Sequence, residues 1–166
     1  MVALERDPGT HPAAAMIAFV VIFLLTAGAA SFGALFPPGP WYAALAKPAL
    51  TPPDWAFPAV WSALYVMIAC AGWMLWLRRG VHPRGHLAVT AWGAQLVLNG
   101  LWSWLFFGCH LTGVALVELM FLWATILATI LLARRHAPGA AWLLLPYSVW
   151  VAFAGWLNFG IWRLNG

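Results

Sequence analysis

The sequence predicts an all-α membrane protein: one domain over residues 1–166, built as a bundle of five transmembrane helices. Three observations predict it. Of the 166 residues, 64% are hydrophobic and 7% are charged, and the mean hydropathy is +0.87, whereas a soluble domain carries roughly 25% charged residues. So few charges cannot coat a water-facing surface, and lipid must solvate most of the chain. The apolar residues fall into five stretches, 13–35, 55–77, 87–107, 111–133 and 137–162, each near the ~20 residues that cross a hydrocarbon core. Open strand edges leave backbone groups unsatisfied in lipid, so each stretch is expected to be a helix.

The first span has the apolar character of a secretion signal but not its proportions. Its apolar run is about twice the length of a signal-peptide core, and its flank Glu5-Arg6-Asp7 is not clearly basic, so it reads as a permanent span. Small residues Ala27, Ala30, Ser31 and Ala34 along it allow close helix packing. A long connection, residues 36–54, follows and holds six of the twelve prolines, with a short helix expected at Trp41–Ala46. Long ordered loops among tight turns are commonly functional.

The second span has a start signal: Thr51 as cap, Pro52 at the first helical position, and Asp54 three residues after Thr51 to satisfy free amides. Pro58, one turn in, should bend the helix near the loop. The remaining connections are short: 78–85, then Gly108-Cys109-His110, then Arg134-Arg135-His136 with Pro138-Gly139. Cys70 and Cys109 have no CxxC spacing and read as small apolar residues rather than a disulfide.

The net charge of +4 comes from one Lys and seven Arg against four acids. These charges gather at segment ends, which marks topology and not a nucleic-acid partner. Arg6, Arg78, Arg79, Arg84, Arg134 and Arg135 fall on the N-terminal side, against Lys47 and Arg163 opposite. In a cytoplasmic membrane, the positive-inside rule then places the N-terminus in the cytoplasm and the long loop and C-terminus outside.

Helical spacing gathers unusual residues onto particular faces. The third span carries Trp92, Gln95, Asn99, Trp102 and Ser103, the fifth Tyr147, Trp150, Ala154 and Asn158, and the second Pro58, Trp61, Ser62 and Tyr65. The fourth contributes Glu118, Thr125 and Thr129. Unpaired carboxamides are costly at bilayer depth, so Gln95, Asn99 and Asn158 must face protein or a cavity. They serve either as interhelical hydrogen-bonding glue or as the polar part of a pocket walled by Trp61, Trp102 and Trp150. Glu118, the one charge inside any span, is either a structural hydrogen-bonding group or one that works on ligand or proton.

Several functions are disfavoured. The five His, at 11, 82, 86, 110 and 136, lie in loops or at span ends, away from where a membrane cytochrome needs axial ligands. The sequence has no HExxH, Cys/His cluster, Gly-rich phosphate loop or Ser-His-Asp pattern. It has no inverted repeat or chain of buried ionisable groups suited to an ion-coupled transporter.

Three blocks resemble a known family. Trp41-Tyr42 and Lys47-Pro48 lead into Pro52-Pro53-Asp54-Trp55-Ala56-Phe57-Pro58-Ala59-Val60-Trp61-Ser62-Ala63-Leu64-Tyr65. Gln95-Leu96-Val97-Leu98-Asn99 precedes Trp102 and Phe106-Phe107-Gly108. Pro146-Tyr147 and Trp150 precede Leu157-Asn158-Phe159 and Trp162-Arg163. Over Trp41 to Arg163 the chain is similar to the translocator proteins, also called tryptophan-rich sensory proteins or peripheral-type benzodiazepine receptors.

The resemblance implies a five-helix bundle, commonly a homodimer, that binds porphyrins, haem and related tetrapyrroles as ligands and has no cofactor of its own. Sterols and isoquinoline carboxamide or benzodiazepine compounds also bind in the family. The family pocket lies between the helices under the first loop, and its positions fall on Tyr42, Trp61, Asn99, Trp102, Trp150 and Ala154. With the neighbouring Tyr65, Gln95 and Tyr147, these make up the expected ligand site; no metal ligands are expected. Bacterial relatives are associated with tetrapyrrole and stress signalling. Some carry out light-dependent porphyrin breakdown that needs the tryptophans matching Trp61 and Trp150. Receptor, light-dependent enzyme and tetrapyrrole or sterol transporter are the three functional classes this leaves. The family's sterol pattern is incomplete: Leu157 and Arg163 are present, but Phe159 stands at the Tyr position, which lowers the expectation of tight sterol binding.

Overall fold

A computed structural model describes residues 11–166; the flank Glu5-Arg6-Asp7 and Arg6's place in the charge count lie outside it. Helix follows helix along these residues: α1 (Pro12–Ala34), α2 (Pro40–Ala44), α3 (Ala56–Leu77), α4 (Gly85–Ser103), a π-helical turn (Trp104–Gly108), α5 (Thr112–Ala133) and α6 (Pro138–Asn165). The described residues thus contain six α-helices, not five, because the expected short helix in the long loop forms as α2. They contain no strand.

Four helices, α1, α3, α5 and α6, are long and apolar enough to cross a membrane. The expectation of five such spans is met only in part. The exception is α4, which has 19 residues but holds Gln95, Asn99 and His86, which pull its mean hydropathy below that of its neighbours.

The expected capping of α3 is absent. Its cap position is Trp55, with no side-chain cap, and the Thr51 hydroxyl donates instead to the Pro48 carbonyl at 2.8 Å. Pro52 and Pro53 precede the helix, and Pro58 sits in its first turn, where its missing N–H costs no helical bond. Proline's interior cost falls instead on α6, where Pro146 lies mid-helix and leaves the Trp142 carbonyl without its usual donor.

Packing is densest where α5 lies against α4 and α6. Leu122, Ile126, Leu144 and Val151 are almost wholly buried there, with Ile68 and Leu75 from α3. Close approach of α3 to α4 depends on Gly72, where a Cβ would stand 2.3 Å from the Trp92 ring. The Trp92 N–H then donates to the Ile68 carbonyl at 2.9 Å. Of α1 only Ile22 and Thr26 are buried. Large apolar side chains such as Met16, Ile17, Val97, Phe121 and Val149 point outward.

The two ends of the bundle differ. At one end the Arg78 guanidinium donates to the His136 carbonyl at 2.8 Å, and the His82 and His136 rings stack at 5.4 Å. This joins the α3–α4 turn to the α5–α6 turn. The long loop covers the other end. Asn165 holds Ala46 through paired bonds of 2.9 Å each, and Pro48 packs where a Cβ on Gly160 would come within 2.4 Å of it. In the tight turn before α5, His110 takes φ 60° and stacks on Trp41 at 3.9 Å.

Candidate functional site

Beneath the long loop lies a cavity of about 390 Å³, bordered by α1, α3, α4, the π turn and α6. Its walls are mainly aromatic. On α3, Phe57, Pro58, Trp61 and Tyr65 share one face at helical spacing and line it in sequence from mouth to floor. Pro58 to Tyr65 spans roughly 10 Å of helix rise. From α4 come Asn99, Trp102 and Ser103, and from α6 Trp150 and Ala154. The π turn adds one residue to a helical turn. It ends α4 with Phe106 and Phe107 both against Tyr42, at 6.3 and 5.4 Å, which ties the lid to the wall.

The floor is a hydrogen-bonded chain. The Tyr65 hydroxyl donates to Asn99 Oδ1 at 2.5 Å, and Asn99 Nδ2 donates to the Tyr147 oxygen at 3.2 Å. Three helices meet at this one carboxamide, which lies 3% exposed. Trp102 spends its N–H on Asn158 Oδ1 at 3.1 Å, and Asn158 Nδ2 reaches the Thr112 carbonyl at 2.7 Å. Trp102 therefore offers a ligand its ring face only. The Trp150 indole nitrogen has no partner.

At the mouth stand Tyr42 and Asp54. Burial pushes the Tyr42 phenol up from its ordinary value, and the Asp54 carboxylate adds to that. Lys47 lies over the Tyr42 ring at 4.7 Å and donates to the carbonyls of Ala43 and Leu45 at 3.2 and 3.5 Å. No imidazole or thiol is among the lining residues.

The expected site residues thus divide. Tyr42, Trp61, Tyr65, Asn99, Trp102, Trp150 and Ala154 come together around the cavity. Gln95 and Tyr147 do not line it. Tyr147 is fully buried behind Asn99, and Gln95 is fully buried with both amide atoms unpartnered, because a turn of helix carries its side chain away from the opening. Of the three carboxamides weighed as glue or pocket, Asn158 ties α6 to α4 and α5, Asn99 ties three helices and also faces the hollow, and Gln95 makes no hydrogen bond. Glu118 is buried on α5 with neither carboxyl oxygen partnered, and α5 contributes nothing to the lining. The sterol-pattern residues are split by the helix: Leu157 is buried, whereas Phe159 faces outward with Arg163 5.9 Å over its ring.

Several lining residues were not expected, namely Gly33, Phe36, Pro37, Pro38, Asp54, Phe57 and Phe107. The α1 small-residue stripe was the available signal. Ala30 and Ala34 from it, with Gly33, form the wall where bulk is missing.

The TspO/MBR family model matches residues 11–163. Protein CrtK of Rhodobacter capsulatus is 37% identical over 150 residues, covering 89% of this chain and 92% of the relative. The tryptophan-rich protein TspO of Chlorobaculum tepidum is 39% identical over 140 residues, covering 80% and 86%. The translocator protein of Bos taurus is 37% identical over 126 residues, covering 75% of each chain.

Proposed function

The chain belongs to the TspO/MBR family, and from that premise we propose that it is a membrane receptor for flat aromatic ligands of the tetrapyrrole class, porphyrin or haem, held in the cavity under the long loop. It is an integral membrane protein. On this reading all five long helices cross the bilayer, α4 turning its carboxamides inward, and the basic end that holds Arg78, Arg79, Arg84, Arg134 and Arg135 faces the cytoplasm.

One observation carries the proposal: a cavity of about 390 Å³ with indole and phenyl rings on several sides and a polar floor. That volume lies within the ~300–1,000 Å³ of small-molecule sites. A macrocycle between Trp61 and Trp150 gains burial on both faces, plus about 0.5–1.5 kcal/mol per aromatic contact. On this reading the ring faces supply the affinity.

Titration of the purified chain with protoporphyrin IX, followed by the shift of the porphyrin absorption band, tests this. Trp61→Ala with Trp150→Ala is expected to weaken binding about tenfold or more, since each ~1.4 kcal/mol is a factor of ten. Equal affinity in the double variant would refute the proposed sandwich.

A further inference from the structure

We propose that Lys47 forms a carboxylate subsite at the mouth of the cavity, where the acidic edge of a flat aromatic ligand pairs with its ammonium. The inference deepens the tetrapyrrole reading and rests on the cavity's being the aromatic-ligand site.

Porphyrins and haem carry their carboxylates along one edge of the macrocycle. That edge cannot follow the rings into the bundle, since an unpaired charge at bilayer depth is costly and the cavity lining holds no Lys, Arg or His. It must stay at the mouth, where few cations can meet it. Among the described residues, Arg78, Arg79, Arg84, Arg134 and Arg135 lie at the opposite end of the bundle. Arg163 lies over the outward-facing Phe159, and the His110 ring is stacked on Trp41. Lys47 remains.

Local structure places it there. The last carbonyls of a helix have no partner within the helix. The Lys47 ammonium donates to two carbonyls at the end of α2, Ala43 at 3.2 Å and Leu45 at 3.5 Å. This holds it over the ring of Tyr42, 4.7 Å from the centroid, and Tyr42 is part of the cavity wall. Both carbonyls are neutral, so the positive charge stays uncompensated, and one of the ammonium's three N–H groups is left to donate. Asp54 borders the same mouth, but its field falls on the Tyr42 phenol, whereas Lys47 lies over the ring face. A ligand carboxylate is thus drawn to Lys47 and turned away from Asp54, which fixes where the acidic edge points. A charge-assisted bond at this half-exposed position is worth roughly three- to tenfold in affinity.

Protoporphyrin IX and its dimethyl ester share one macrocycle and differ in charge at the acidic edge, so they serve as the probes. Their affinities for the full chain are read from tryptophan quenching at low salt in one detergent, over the background of the Trp61→Ala, Trp150→Ala double variant. The measured quantity is the ratio of diacid to ester affinity within each protein. A general loss of binding cancels in that ratio, and unequal partition into micelles cancels when proteins are compared. Lys47→Gln should lower the ratio about fivefold through the diacid alone. Lys47→Arg should keep it, and Asp54→Asn should raise it. A ratio unchanged by Lys47→Gln, whether both affinities hold or both fall, would overturn the anchor while leaving aromatic binding intact. Failure of both porphyrins to bind above the background would overturn the binding site and the anchor with it.

Discussion

Asn99 shows how one side chain sets both architecture and site. A carboxamide has two donors and two acceptor lone pairs, and here one of each is engaged, by Tyr147 and Tyr65 respectively. The sequence marked Asn99 as polar at bilayer depth but did not decide between glue and pocket, because spacing assigns a face and not what lies opposite. Asp54 was misread for a related reason: a cap is a local pattern, whereas the lid geometry that turns Asp54 to the mouth is tertiary. At the opposite end, His136 is buried with neither ring nitrogen partnered. Burial lowers its proton affinity, the charges at His82 and Arg78 lower it further, and the Leu132 backbone opposes them weakly. A lowered folded value means the unfolded chain binds the proton first. Stability is therefore full above the ordinary His range, and it should fall as pH drops below about 6.5 toward the depressed folded value. Melting temperature measured across that range should decline in the unaltered chain and flatten in His136→Gln. A flat profile for both would contradict this.

At the scale of elements, the long apolar stretches signalled helices, since apolar length in a membrane protein is dictated by the solvent; α1, α3, α5 and α6 are long and apolar enough to span, and α4 is the exception. Ends and irregularities were less legible. The π turn replaced what read as a continuous end to the third long helix, because a one-residue insertion leaves almost no trace in hydropathy. Its effect is large, setting Phe106 and Phe107 against the lid. The contribution of α1 to the cavity was also missed, since alanines and glycine signal closeness without naming the neighbour. A Cβ at Gly33 would lie 3.3 Å from the Ser103 hydroxyl and 3.9 Å from that of Tyr65, so a larger side chain there projects over the polar floor. Gly33 lies in the last turn of α1 with no positive φ, so Gly33→Leu asks for no strained backbone and the fold should persist, with helix content unchanged. Protoporphyrin affinity should fall by about tenfold or more. Undiminished binding in a folded Gly33→Leu protein would place the ligand elsewhere.

For the whole molecule, the tight turns and the clustering of arginine at segment ends anticipated a bundle with one basic end and one lid-covered end. The Arg78–His136 bond and the Asn165–Ala46 pair tie those two ends as that topology requires. The hollow itself was not legible, because a cavity is set by how four helices and a loop fail to fill space together. The central claim is that this hollow holds a flat macrocycle between Trp61 and Trp150, and it is tested most directly by an experimental structure of the chain with protoporphyrin IX. Density for the macrocycle between those two indoles, beneath Tyr42 and above Asn99, is the expected result. A filled or empty interior, with porphyrin only on the lipid-facing surface, would contradict it.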